Sequence, residues 1–167
     1  FRSDRARQLT KALVLPGFEK FKCQYFQNLF MVTMTEYEKD LPVTIAFPPI
    51  VIKTPLAKVI ADAGLKQLHT AETEKFAHVT YFFNGGSDII FDNEDRELIP
   101  SPHVPSYDQK PAMSAREITN KLVQKIKEGN YDFIVVNYAN ADMVGHTGNL
   151  NATIEAVEIL DKLIGEL

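Results

Sequence analysis

Apolar residues recur along this chain at two different periods, and the switches between them mark out its elements. From Ser3 to Leu13, charged and apolar residues follow helical spacing, with Ser3 or Asp4 able to cap the first exposed amides. Pro16-Gly17 ends that helix. Gln27 to Tyr37 is rich in Phe, Val, Met and Thr with partial alternation and predicts a strand, while Pro42, Pro48 and Pro49 deny a helix to the stretch that follows. Thr54 before Pro55 has the form of an N-cap with proline in the first turn, and Leu56, Val59 and Ile60 supply an apolar stripe that Gly64 stops. Leu65 to Thr70 predicts a short strand, after which Glu72 to Phe83 takes helix-compatible spacing and ends at Asn84-Gly85-Gly86.

The second half repeats this logic more clearly. Ser87 to Pro111 is punctuated by proline and predicts loops, with at most a short strand around Glu97 to Ile99. Ser114 and Glu117 have the spacing of a capping box, Ile118, Leu122 and Ile126 give a buried face, and Gly129 stops the helix. Tyr131 to Asn137, running Asp-Phe-Ile-Val-Val, is a continuous apolar segment suited to a strand buried on both faces, and Asn149 or Asn151 starts a last helix through Ile154, Val157, Leu160 and Ile164. Helix, buried strand, polar loop, helix is an α/β arrangement around a parallel sheet. In such sheets ligands sit outside the carboxyl ends of the strands, so the loop from Asn137 to Gly148 is the first place to look for a site.

Composition narrows the partners. The 167 residues carry 22 acidic and 18 basic side chains, well mixed, for a net charge of -4, so no basic field attracts a nucleic-acid backbone or an anionic membrane. No run approaches the length needed to span a bilayer, and the first residues have no hydrophobic core of a signal peptide. Cys23 is the one cysteine, which favours a reducing compartment and a cytoplasmic location. Without an initiator Met, and with both ends inside patterned sequence, the chain reads as an internal segment of something longer.

Three groups of residues could carry chemistry. Asp142 and His146 lie four apart in the candidate loop and offer an oxygen and an imidazole nitrogen, a mixed pair suited to Mn2+ or Zn2+; a capping Asp beside a partly buried His would give the same spacing. Arg2 and Arg5 are one helical turn apart near a helix start, where forked donors and free amides can share a phosphate or carboxylate, although spacing alone favours a solvated face paired with Asp4, to which Arg7 adds. Lys75 follows Glu72-Thr73-Glu74, which suits a salt-bridged surface lysine, or a polar cluster with His78 three residues on. His69 and His103 have no evident partners, and no serine stands in a nucleophile elbow.

Longer strings add a resemblance. FRSDRARQ at 1 to 8, MTEY at 34 to 37, AETEKFAHVT at 71 to 80, FFNGG at 82 to 86, IPSP at 99 to 102 and NYANADMVGHTG at 137 to 148 together resemble the cofactor-independent phosphoglycerate mutases, over essentially the whole chain. That family has a phosphatase domain related to alkaline phosphatase, with a phosphotransferase domain inserted into it. The resemblance implies that residues 1–48 are the end of the inserted, substrate-binding domain and residues 49–167 the middle of the metal-binding domain.

It also implies roles, residue by residue. Arg2 and Arg5 match the arginine pair that grips phosphoglycerate, Lys75 the lysine that contacts the phosphate near the nucleophile, and Asp142 and His146 two ligands of one of two Mn2+ or Mg2+ ions. The implied reaction interconverts 3-phosphoglycerate and 2-phosphoglycerate through a phosphoserine, in a monomeric parent. The serine and the other ligands have no matching positions here, so the chain alone is expected to be inactive. Two other readings compete: another alkaline-phosphatase relative, such as a phosphopentomutase or phosphodiesterase, and a noncatalytic module that binds a further chain.

Overall fold

The computed structural model describes residues 3–50 and 52–167, and the chain folds as two compact units, Phe1–Val51 and Ile52–Leu167. In the first unit the helical spacing forms α1, Ser3–Val14, which buries Ala12 and Val14 and whose Thr10 hydroxyl donates to the Ala6 carbonyl at 2.8 Å. The strand expected over Gln27 to Tyr37 shrinks to β1, Val32–Thr33, paired in parallel with β2, Thr44–Ile45. A strand extends only as far as its partner. Pro42 and the Pro48-Pro49 pair confine β2 to a few residues, so the apolar run around β1 stays irregular, with Phe26, Leu29 and Phe30 exposed.

The second unit is built on three parallel strands in the order β4-β3-β5. These are β3, Gln67–Glu72, β4, Glu94–Ile99, and β5, Phe133–Asn137, in a register that sets Ala71 opposite both Leu98 and Asn137. Four helices accompany them: α2, Leu56–Asp62, α3, Ala115–Glu128, α4, Asn140–Gly145, and α5, Leu150–Glu166. Leu68, Ile99, Ile118 and Leu122 form one core between sheet and α3, and Met113, Ala139, Val144, Ala152 and Ala156 form a second around α4 and α5. The expected α/β fold with a parallel sheet is therefore present.

Four local expectations change. The strand buried throughout is β3, while all five residues of β5 are half-buried, because β3 has neighbours on both sides and β5 on one among the described residues. Glu72 to Phe83 keeps its helical character but not as one regular α-helix: Glu72 closes β3, and residues 73–82 run unbroken from a 3-10 turn, Thr73–Lys75, to a π-helical turn, His78–Phe82. The capping box does not form, since the Ser114 hydroxyl donates to the Pro100 carbonyl at 2.7 Å and leaves the α3 amides uncapped. Pro55, not Thr54, stands at the N-cap of α2. The chain stops follow the sequence, with Gly129 left-handed at φ 66° after α3 and the Asn149 side chain accepting from the Ala152 amide at 3.2 Å before α5.

Candidate metal and phosphate site

Parallel pairing sends the carboxyl ends of β3 and β5 to one edge of the sheet, and each strand delivers polar side chains there. Beyond β3, the 3-10 turn carries Lys75; beyond β5, α4 carries Asp142 in its first turn, and His146 follows at its C-cap. The i, i+4 spacing along α4 sets the His146 Nε2 3.3 Å from Asp142 Oδ1. The other carboxylate oxygen, Oδ2, accepts a hydrogen bond from Lys75 Nζ. Lys75 from one stretch of sequence and His146 from another thus meet on the Asp142 carboxylate.

Burial separates their characters. The Lys75 side chain is 11% exposed, against 51% for Asp142 and 66% for His146, so the lysine threads its stem through the protein and presents its ammonium at the rim. Lys75 is therefore neither a surface residue nor paired with the flanking Glu72 or Glu74. Asp142 does not cap α4, whose N-cap is Ala139, and His146 faces solvent. His78 lies in the π-helical turn with its ring 5.4 Å from that of Phe82. His69, for which the sequence offered no partner, is fully buried, its ring nitrogens 2.7 Å from the Val79 carbonyl and 3.0 Å from Gln67 Oε1.

A second polar group surrounds the turn that holds Lys75. The Ser101 amide donates to Thr73 Oγ1 at 3.1 Å, the Glu74 amide to Ser101 Oγ at 3.3 Å, and the Ser114 amide to Glu72 Oε1 at 3.3 Å. The Tyr107 hydroxyl donates to Glu74 Oε1 at 2.8 Å, and burial together with that carboxylate pushes the phenol up to about 12. Burial also raises the Glu72 carboxyl, with the polar groups of Ser101 and Ser114 beside it pulling the other way. Spacing alone gives no signal for this group, since its members are brought together only by the loop after β4.

Asp142 and His146 suit a cation by geometry as well as by donor type. Ligand atoms each about 2.1 Å from an ion, at angles between octahedral and tetrahedral, stand about 3.0–3.4 Å from one another, and the observed oxygen-to-nitrogen separation is 3.3 Å. The set is partial: among the described residues no three His, Cys, Asp or Glu side chains gather as a metal cage. In the first unit, Arg5 lies exposed on α1 and lines a cavity of about 640 Å3 with Gln8, Lys11, Phe18 and Lys20. Arg2 lies outside the described residues, and Arg7 and Lys11 approach Glu38 at 3.7 and 2.7 Å.

A family model described as the Metalloenzyme superfamily matches residues 34–167. The chain belongs to the metalloenzyme superfamily. Ahead of and overlapping that match, residues 1–39 fit a second family model, the BPG-independent PGAM N-terminus. This metalloenzyme-superfamily chain is 56% identical over 169 residues to the 2,3-bisphosphoglycerate-independent phosphoglycerate mutase of Thermomicrobium roseum, and 54% identical over 167 residues to the one of Picosynechococcus. Each alignment covers 100% of this chain and 32% of the relative, so the chain spans about a third of their length. Among solved structures, a Leishmania mexicana phosphoglycerate mutase determined at low cobalt concentration superposes with a TM-score of 0.71 at 33% identity, over 97% of this chain and 30% of that one. Lys75, Asp142 and His146 all fall inside the superfamily match.

Proposed function

We propose that this chain is part of a 2,3-bisphosphoglycerate-independent phosphoglycerate mutase, interconverting 3-phosphoglycerate and 2-phosphoglycerate in glycolysis. The observation that carries the reading is the meeting of Lys75, Asp142 and His146 on one carboxylate at the carboxyl edge of the sheet. In this reading Asp142 and His146 hold one divalent cation, Mn2+ or Mg2+, and the imidazole favours Mn2+ over the harder Mg2+. Such an ion supplies Lewis-acid polarisation and neutralises charge on a transferring phosphoryl group.

Lys75 has a separate task. An ammonium has three donors, so Lys75 can keep its bond to Asp142 and still offer an N–H to a phosphate oxygen at the rim. Its buried stem holds that charge in place, which lowers the entropy lost when substrate docks. Arg2 and Arg5 would grip the phosphoglycerate through forked guanidinium donors. Residues 1–48 would then be the end of a substrate-binding phosphotransferase domain and 49–167 the middle of a metal-binding phosphatase domain. No described helix is long and apolar enough to cross a membrane, and we place the parent enzyme in the cytoplasm as a monomer acting on a small molecule.

The test is a coupled assay for conversion of 3-phosphoglycerate with Mn2+, run on the full-length enzyme that carries this chain and on its Asp142→Ala and Arg5→Ala variants. Asp142→Ala is expected to lower kcat/KM by about 100-fold or more, the scale of losing an electrostatic group at a transition state, and the 167-residue chain alone to be silent. A full-length enzyme idle on phosphoglycerate but active on another phosphate ester would move the assignment to a phosphopentomutase or phosphodiesterase. Mixing the chain with a complementary segment separates both from a noncatalytic module, since only an enzyme piece regains turnover.

A further inference from the structure

Lys75 stands in the first turn of an unbroken helical run over residues 73–82, which opens as a 3-10 turn and widens to a π-helical turn. The 3-10 turn Thr73–Lys75 has three residues, and its cap contributes a single backbone bond, from the Phe76 amide to the Thr73 carbonyl. The first turn of a helical run leaves its leading N–H groups without intrahelical partners, so side chains decide how firmly it is held. The remaining restraint comes from the side chains around the end of β3. The Ser101 amide donates to Thr73 Oγ1, the Glu74 amide to Ser101 Oγ and the Ser114 amide to Glu72 Oε1, so the loop after β4 and the start of α3 both grip the residues on either side of the turn. The Ser114 hydroxyl closes the circuit on the Pro100 carbonyl.

Glu72 is the costly member of this circuit. It ends the central strand with none of its surface exposed, one oxygen accepts the Ser114 amide, and the other, Oε2, is buried with no hydrogen-bond partner among the described residues. A buried carboxyl with an unsatisfied oxygen destabilises a fold relative to an apolar side chain of similar size, so packing alone does not account for a glutamate here. Its oxygen does reach the Ser114 amide, which ties the start of α3 to the strand end three residues before Lys75.

We propose that Glu72 is a positioning residue for Lys75, closing with Thr73, Ser101 and Ser114 a brace that fixes the turn on which the lysine sits. The inference rests on the mutase reading for what Lys75 does once positioned. It goes beyond that reading in assigning a role to a group outside the Lys75, Asp142 and His146 cluster.

The experiment uses the full-length enzyme and two readouts. Glu72→Ala is expected to speed hydrogen exchange at the Ser114 and Glu74 amides by about 5-fold or more, the effect of losing one hydrogen bond of about 1 kcal/mol, and to lower kcat by about 10-fold or more, as loss of a supporting residue does. Glu72→Gln keeps a carbonyl oxygen for the Ser114 amide and is expected to restore both. Thr73→Val, which removes only the arm to Ser101, is expected to loosen the Ser101 amide on its own. Unchanged exchange in Glu72→Ala, or a Glu72→Gln enzyme as damaged as Glu72→Ala, overturns the brace. A Lys75→Met enzyme with full turnover would instead remove the lysine's role in the mutase reading, and the exchange rates would still decide whether the brace exists.

Discussion

A lysine with its stem inside the protein and its charge beside a half-exposed aspartate gains little from that contact, since ion pairs at such a boundary contribute at most about 1 kcal/mol. Lys75 and Asp142 are therefore poorly explained as stability devices, and that is the residue-scale argument for chemistry at the edge of the sheet. Glu72 beside them carries a testable signature. Burial holds its folded-state pKa above the ordinary value of 4.5, so the folded protein binds this proton more tightly than the unfolded chain. The stabilisation linked to that proton is complete below the unfolded value and is lost as pH rises through the folded one. Glu72→Gln cannot titrate, and its unfolding free energy from urea titrations is expected to depend less on pH from about 4.5 upward than that of the parent; an unchanged slope would mean the carboxyl is not shifted. The sequence made Asp142 and His146 legible because they follow an apolar run in a polar loop. Lys75 was harder to read, because Glu-Thr-Glu-Lys has the composition of a solvated surface while the folded chain leaves its side chain only 11% exposed and sets it on a partner 67 residues away.

Elements were legible where they are specified locally. The helix α3 ends at Gly129 because the residue after it is left-handed, at φ 66°, which glycine enters without penalty. A Cβ built at Gly129 meets nothing within 4 Å, so Gly129→Ala isolates the backbone cost and is expected to destabilise by about 1 kcal/mol in chemical denaturation. A loss near zero would show that the helix end relaxes freely. Elements set by distant partners were less legible. The run Phe-Ile-Val-Val reads as the most buried strand, yet β5 lies beside a single neighbour among the described residues, and the mixed sequence Gln-Leu-His-Thr-Ala-Glu occupies the centre. What permits this is side-chain pairing inside the fold: Gln67 donates to the Ala57 carbonyl at 2.8 Å and His69 meets Val79 and Gln67, so polar groups that look solvent-bound are satisfied internally. Serine capping failed as a signal for the same reason, because Ser114 is used by Pro100 and Glu72 rather than by its own helix.

At the scale of the molecule, the two units differ in what holds them. Among the described residues of Phe1–Val51 the buried apolar side chains are Ala12 and Val14, while Phe21, Phe26, Phe30, Phe47 and Ile50 are exposed. Within Ile52–Leu167 two apolar clusters pack against β3 and around α4 and α5. Free energy of local opening follows the apolar area that opening exposes, so amides of β3 are expected to exchange slowest and those of β1 and β2 far faster, near the rates of exposed loops. The core substitution Ile118→Ala gives the decisive comparison, because Ile118 is 0% exposed and packs with Leu68, Ile99 and Leu122. Its loss is expected to cost about 2–5 kcal/mol and to accelerate exchange in β3, β4 and β5 together, while leaving α1 and β1 as they were. Exchange that rises equally throughout would show that one cooperative transition governs the whole chain, and that the compactness of the two units does not translate into separate stabilities.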